Sequence, residues 1–261
     1  VTSLGASFAI QRRVIWALLM REVITRYGRH NIGVLWLVAE PMFFTLGVAA
    51  LWTAAGLGHG SSMPIAAFAI TGYSSVLLWR NTVSKCNAGI HHNFNLLYHR
   101  NVRVMDVFVT RILLEVGGTT ASFVLLAATM IAIGFIPVPT NLLTSILGWI
   151  LLAWFGAALA TLVGAAASFS EVVDRIWHPI SYFMFPLSGA AFMVDWFAPP
   201  VREFLLWLPM VHGVEMVRDG FYGHLMRTHY DPSFMVVTNL FLSLAGLLLL
   251  RVAGRNVRPT P

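Results

Sequence analysis

Between Glu115 and Glu171 the chain carries no Asp, Glu, Lys, Arg or His. This run is more than twice the roughly 20 residues that carry a helix across a bilayer. Pro137-Val138-Pro139-Thr140-Asn141 divides it, because two prolines cannot sit in a continuing helix and Thr-Asn favours a turn. The run therefore reads as two membrane-crossing helices, 116–136 and 142–169, joined by a short loop. A chain with such a pair folds in lipid, where helices and closed barrels are the structures that satisfy their own backbone.

Composition extends the argument to the whole chain. Of 261 residues, 57% are hydrophobic and 11% charged, against about 25% charged in ordinary soluble domains. Mean hydropathy is +0.74. A soluble globule, a disordered chain and a coiled coil are excluded, and the single Cys86 excludes a disulfide scaffold. Further charge-poor stretches at 41–58, 63–79, 176–194 and 233–250 bring the expected number of spans to six. The predicted fold is an all-α polytopic membrane protein, one domain over 1–261. Pro179 and Pro186 should kink the fifth span. Arg12, Arg13, Arg21 and Glu22 interrupt the first apolar stretch, so it does not read as a cleaved leader.

Of the 17 basic residues, Lys85 is the one lysine. With six spans and the N-terminus inside, every basic residue except Arg202, Arg218 and Arg227 falls on the cytoplasmic side. The positive-inside rule thus predicts cytoplasmic N- and C-termini. Arginine placed this way marks loops rather than nucleic-acid binding. Lys85 lies in Ser84-Lys85-Cys86, without the glycine-rich run of a phosphate-binding loop. The chain therefore shows no recognisable ATP-binding loop of its own.

Four segments outside the spans carry further pattern. In 8–30, Trp16, Met20, Val23, Ile24 and Tyr27 share one helical face, and Arg21, Glu22, Thr25, Arg26 and Arg29 share the other. The pattern predicts an amphipathic helix in the cytoplasmic interface. The loop 85–104 sets Phe94, Leu97 and Tyr98 among Asn93, Asn95 and other polar groups, as a docking surface would. Its His91, His92 and His99 lack a carboxylate or second cysteine, so no metal site is predicted. Glu171 and Asp174 form a second short docking turn. In 195–231, Pro199-Pro200 begins and Pro209 ends a short helix rich in aromatics, predicted to dip into the membrane from outside and return.

Gly156, Ala160, Gly164 and Ser168 put small residues on one face of the fourth span, which fits either an internal contact or a dimer seam. Arg111 and Glu115, four apart, suit either a salt bridge or, through Arg111 with Arg80, recognition of an anionic cargo.

Several of these residues together resemble a known family. Arg26-Tyr27-Gly28, Gly33, Trp36 and Glu40-Pro41 are similar to the N-terminal signature of ABC-2 type polysaccharide export permeases. Thr71-Gly72 with Arg80, Asn93-Phe94-Asn95-Leu96-Leu97-Tyr98 with Asp106, Arg111 and Glu115, and Pro209 with Glu215-Met216-Val217-Arg218-Asp219 and Gly223 follow in the family's order. Capsular polysaccharide exporters of Gram-negative bacteria are the branch they most resemble. Leu208, where Asn is common, and His99-Arg100, where Tyr-Pro is common, depart from it.

The resemblance implies a homodimeric permease of the bacterial inner membrane with two copies of a nucleotide-binding ATPase subunit, ATP and magnesium being bound there and no cofactor in this chain. It implies a polysaccharide or glycolipid cargo, periplasmic and outer-membrane export partners, and no catalytic residue in this chain. Residues 93–98, Glu171 and Asp174 would couple to the ATPase. Because sugar faces slide over flat aromatic walls, Tyr73, Trp149, Trp154, Tyr182, Phe185 and Trp196 are expected to line the conduit, with Arg80 and Arg111 at its entrance. Asp195, Trp207, Glu215 and Arg218 would form a periplasmic gate. An O-antigen or teichoic-acid permease is the close alternative. An ion-coupled carrier lacks an acid in 116–170, and an intramembrane enzyme could assemble only Ser74 or Ser75 with His178, without a motif.

Overall fold

A computed structural model of the chain describes residues 4–27, 33–56, 65–87 and 102–257; these are almost wholly helical and contain no strand. The helices are α1 (Leu4–Tyr27), α2 (Gly33–Ala54), α3 (Ile65–Asn87), α4 (Val104–Ala132), α5 (Leu142–Ala167), α6 (Glu171–Leu187), α7 (Pro199–Leu205), α8 (Pro209–Tyr222) and α9 (Pro232–Val257). The Pro137–Asn141 turn falls where the sequence puts it, and the Asn141 side chain caps α5 by accepting from Thr144 N.

Four helical stretches are long and apolar enough to cross a membrane: Leu35–Ala54, Val104–Ala132, Leu142–Ala167 and Pro232–Arg255. α6 has 17 residues, ends at Leu187 instead of running to position 194, and contains both prolines. α3 is long, but it carries Arg80, Lys85 and several hydroxyls. The reason is its place in the fold. α3 packs against α2, α4, α5, α6 and α8, and from Ala66 to Trp79 every side chain is buried. A helix that faces protein on all sides does not need the apolarity that lipid demands.

Charge-free windows understate the helices. α3 continues through Arg80 and Lys85, and α4 begins at Val104, ahead of Asp106, Arg111 and Glu115. Asp106, Arg111 and Glu115 are buried within the protein rather than marking a span's end, whereas Arg80 is half-buried and Lys85 exposed.

α5 is the hub, packed on α9, α8 and α3. Its glycines set the spacing. A Cβ on Gly148 would lie 2.9 Å from Val217 N of α8, and one on Gly156 would lie 2.8 Å from Trp79 Cα of α3. A Cβ on Gly164 would lie 2.5 Å from Phe108 Cε1 of α4. The small-residue face is therefore an internal contact. On the other side, Asn239 Nδ2 donates to Leu151 O at 3.0 Å and Trp154 Nε1 to Ser243 Oγ at 3.0 Å, tying α5 to α9. Gly156→Ala should destabilise the protein by about 1–3 kcal/mol, the usual range for overpacking. Gly117→Ala, where nothing lies within 4 Å of the added atom, should be neutral or slightly stabilising. Thermal unfolding in detergent separates the two, and equal midpoints would contradict the close α3–α5 contact.

α1 packs against α4 and α2. The expected wheel needs one correction. Glu22, assigned to the solvated face, turns inward to Arg111 of α4, with Arg111 Nε 3.4 Å from Glu22 Oε1. Gln11, three turns earlier on the same face, donates to Asp106. Trp16 and Ile24 point outward, 63% and 65% exposed. Electrostatic partners on α4 draw the acid inward, which periodicity alone does not register.

Candidate conduit, coupling root and cap

α3 and α6 run antiparallel, and their facing side chains form a ladder. At one end Asn87 Nδ2 donates to Asp174 Oδ1 at 2.5 Å. Next, the Arg80 guanidinium lies 4.5 Å over the Tyr182 ring. Tyr73 meets Phe185 edge-on at 5.8 Å. Beyond the end of α6, Trp196 stacks on Phe68 at 5.5 Å. At 1.5 Å per residue, Phe68 to Asn87 spans about 28 Å, close to the hydrocarbon thickness of a bilayer.

α6 supplies the open side of this ladder. Of its residues only Trp177 and Ser181 are buried, while Tyr182 and Phe183 are 64% and 76% exposed. The ladder thus has a fixed rail, the enclosed α3, and an open rail of aromatic side chains.

Five of the expected path residues, Tyr73, Arg80, Tyr182, Phe185 and Trp196, come together here. Trp149 and Trp154 do not. Trp149 stacks on Phe123 of α4 at 4.4 Å and donates to Thr120 Oγ1, and Trp154 is held by α9. Arg111 also lies apart: beside Glu22, its Nη1 donates to Lys85 O at 2.6 Å. It joins α1, α3 and α4.

The Asn87–Asp174 hydrogen bond carries a second consequence. Asn87 ends α3 and opens the loop predicted to dock a partner, and Asp174 belongs to the second predicted docking turn. Sequence placed them as separate contacts; the fold ties one to the root of the other. Glu171 pairs with Arg175 at 3.0 Å on the exposed side of α6. Asn93, Phe94, Asn95, Leu97 and Tyr98 lie outside the described residues, as does Arg29. The helix bounds of α1 include Arg26 and Tyr27, and Arg21 is exposed.

At the opposite end sits a compact cap. Arg218 of α8 is completely buried. Its Nη1 donates to Gly189 O at 2.6 Å and Phe192 O at 2.7 Å, and its Nη2 donates to Ala190 O at 2.5 Å. The guanidinium lies 3.7 Å above the Phe68 ring. One side chain therefore captures three carbonyls of the turn after α6 and rests on α3. Gly72 makes room for it: a Cβ there would sit 2.4 Å from Arg218 Nη2. Glu215, also fully buried, accepts from Val194 N at 3.3 Å and His229 N at 3.0 Å.

The segment 226–231 lies along α8, where residues 212, 215 and 219 share one face. His212 Nδ1 accepts from Asp231 N, Glu215 from His229 N, and Asp219 from Thr228 Oγ1 and Tyr230 OH. Asp195 ties this segment to the α7 side, 2.9 Å from His229 Nε2 and 3.3 Å from Arg202 Nη2. Phe204 and Trp207 stay exposed on the α7 hairpin, at 60% and 75%.

His229 hydrogen bonding, ahead of the nearby arginines, holds the Asp195 carboxyl below its ordinary range. The carboxylate is favoured in the folded state, so its contribution is present above the unfolded value, about 3.9. It is lost as pH falls through the lower folded value. Asp195→Asn should therefore reduce unfolding temperature at neutral pH and reduce it progressively less as pH falls through that window. A pH-independent difference would remove the ion-pair account.

Helix α8 is the element that sequence missed, because Pro209 reads as an end. It is the first residue of the helix, where its missing N–H costs nothing. Met210, Val214, Val217 and Phe221, at spacings of four, three and four, were the available signal.

An all-helical bundle with several helices long and apolar enough to cross a membrane is the architecture of a polytopic membrane protein. Residues 13–222 match the family described as ABC-2 type transporter, so the chain belongs to that family. Membership implies an exporter permease that works with an ATPase. The chain is 43% identical over 258 residues to the capsule polysaccharide export inner-membrane protein CtrC of Neisseria meningitidis serogroup B, covering 99% of this chain and 97% of that one. It is 40% identical, at the same coverage, to the capsule polysaccharide export inner-membrane protein BexB of Haemophilus influenzae. The polysialic acid transport protein KpsM of Escherichia coli is 28% identical over 254 residues, 92% of this chain and 94% of that one.

Proposed function

We propose that this chain is the transmembrane subunit of an ATP-driven exporter that moves capsular polysaccharide, acidic and lipid-linked, across a bacterial inner membrane. The observation that carries this reading is end-to-end likeness, at 40–43% identity, to capsule export inner-membrane proteins. Two copies of the chain pair with two nucleotide-binding subunits and hand polymer to periplasmic and outer-membrane partners. Six segments cross the membrane: α2, α3, α4, α5, α6 and α9. Both termini are cytoplasmic and α1 lies in the cytoplasmic interface. The ladder from Arg80 and Tyr182 to Phe68 and Trp196 guides cargo, its aromatic faces meeting sugar C–H surfaces without the deep wells that ion pairs create. The hairpin of α7 and α8 re-enters the membrane from the periplasm and gates the far end.

Two experiments test this. Coexpressed with its ATPase subunit in a capsule-permease deletion strain, the chain should restore surface polymer, whereas an inactive ATPase should leave polymer inside. Transport into sealed vesicles driven by an ion gradient without ATPase would overturn the reading. Tyr182→Ala should lower export severalfold at unchanged unfolding temperature, because this ring is mostly exposed. Normal export by that variant would take Tyr182 out of the conduit.

A further inference from the structure

Away from the ladder and cap, the start of α4 and the end of α9 enclose an open groove of about 710 Å³. Its lining is Arg103, Val104 and Met105 from one side, with Leu247, Leu250, Arg251, Gly254 and Arg255 from the other. The α9 residues stand at i, i+3, i+4, i+7 and i+8, a single helical face. α4 and α9 touch little, which leaves this face uncovered among the described residues.

Its chemistry is divided along its length. Arginines 103, 251 and 255 occupy the end of the apolar span, where lipid headgroups lie. Leucines 247 and 250 continue into the hydrocarbon depth, where neighbouring Leu244 and Leu248 are 60% and 56% exposed on the lipid-facing surface. None of the three arginines forms a salt bridge among the described residues. Asp106, whose charge is felt by Arg103, is itself buried; it accepts Arg103 N–H at 2.9 Å and the Gln11 amide. The lining contains three cations and no anion.

We propose that this groove is a binding site for an anionic phospholipid, with the phosphate among Arg103, Arg251 and Arg255 and an acyl chain along Leu247 and Leu250. Arginine suits the headgroup because its planar fork holds phosphate oxygens bidentately. A zwitterionic lipid offers the same phosphate but brings an ammonium that no lining carboxylate receives, so a net negative headgroup such as phosphatidylglycerol is selected. Gly254 forms the floor. A Cβ there would rest 3.7 Å from Val104 Cγ2, an ordinary contact, so a larger side chain at this position extends into the groove. The inference depends on the chain residing in a membrane and is independent of its cargo.

Native mass spectrometry of the purified permease, titrated with phosphatidylglycerol or phosphatidylethanolamine of identical chains, tests the site. Wild type should retain phosphatidylglycerol preferentially. Arg251→Gln with Arg255→Gln should weaken retention about 30-fold, the ratio expected for two surface arginines. Gly254→Leu, which keeps every charge, should also reduce retention, and glycerol phosphate in excess should not displace the lipid. Equal retention of both lipids by wild type overturns the proposal, as does unchanged retention in both variants. Displacement by glycerol phosphate would make the groove a simple anion site. Loss of the lipid whenever the ATPase subunit is bound would assign the groove to that subunit. Either result also overturns it.

Discussion

Arg218→Met should prevent the permease from accumulating in folded form. The replacement is similar in length and apolar, so volume is nearly kept. It leaves three buried carbonyls, on Gly189, Ala190 and Phe192, without their donor. It also leaves the buried Glu215 without the guanidinium charge in its surroundings. Removing one partner from a buried charged set costs about 3–5 kcal/mol, against a total stability of about 5–15 kcal/mol for a typical domain. The expected result is a large fall in unfolding temperature in detergent, with the chain degraded in cells. A wild-type unfolding curve for Arg218→Met would show that the cap is not held as described. The effect belongs to folding, so it should be equally severe without cargo or ATPase.

Leu97→Asp should have the second large effect, on coupling instead of folding. In the proposed exporter, Phe94, Leu97 and Tyr98 are apolar anchors within a polar loop, and a few such anchors dominate most interfaces. An ionised carboxylate at the centre of such a contact would be desolvated without a partner. Copurification of the ATPase subunit and cargo-stimulated ATP hydrolysis should both fall to background, while the permease remains in the membrane at its normal level. Retained assembly and hydrolysis would move the docking site elsewhere. The Asn87–Asp174 bond at the root of this loop gives a graded comparison. Asp174→Ala should weaken coupling without abolishing it, since it loosens the loop's anchor and leaves its apolar anchors in place.

How much of this was legible in sequence varied with what each residue faces. Apolar stretches facing lipid announced themselves: α2, α4, α5 and α9 were each seen, and the Pro137–Asn141 turn was placed. Boundaries failed where charges turn inward. Asp106, Arg111 and Glu115 look like the border of a span, yet each is buried inside the bundle. Glu22 looked solvated for the same reason. A wheel ranks residues by polarity and contains no information about a partner on another helix. Pro209 misled differently, because proline ends one helix and begins another with equal ease, and only the downstream apolar rhythm distinguishes them.

The ladder was partly legible. Tyr73 and Arg80 are seven residues apart on α3, and Tyr182 and Phe185 are three apart on α6, so each pair shares a face. That the two faces meet required the antiparallel pairing of α3 with α6. Trp149 and Trp154 carry the same chemistry and were indistinguishable from path residues until the fold placed them against α4 and α9. Aromatic side chains serve packing and passage with the same atoms, and the helix each one faces separates them: Tyr73 and Trp149 are equally buried, but Tyr73 meets α6 and Trp149 meets α4.

The enclosure of α3 has a consequence for how the protein is made. Synthesis delivers this helix before α4, α5 and α8, three of the neighbours that surround it. It carries Arg80 and Lys85 towards its C-terminal end, and the hydroxyls of Thr71, Ser75 and Thr82 donate to carbonyls of its own backbone. Its burial is completed only after α4, α5 and α8 have been made. The enclosure of α3 thus ties the two halves of the chain together in order of synthesis as well as in packing.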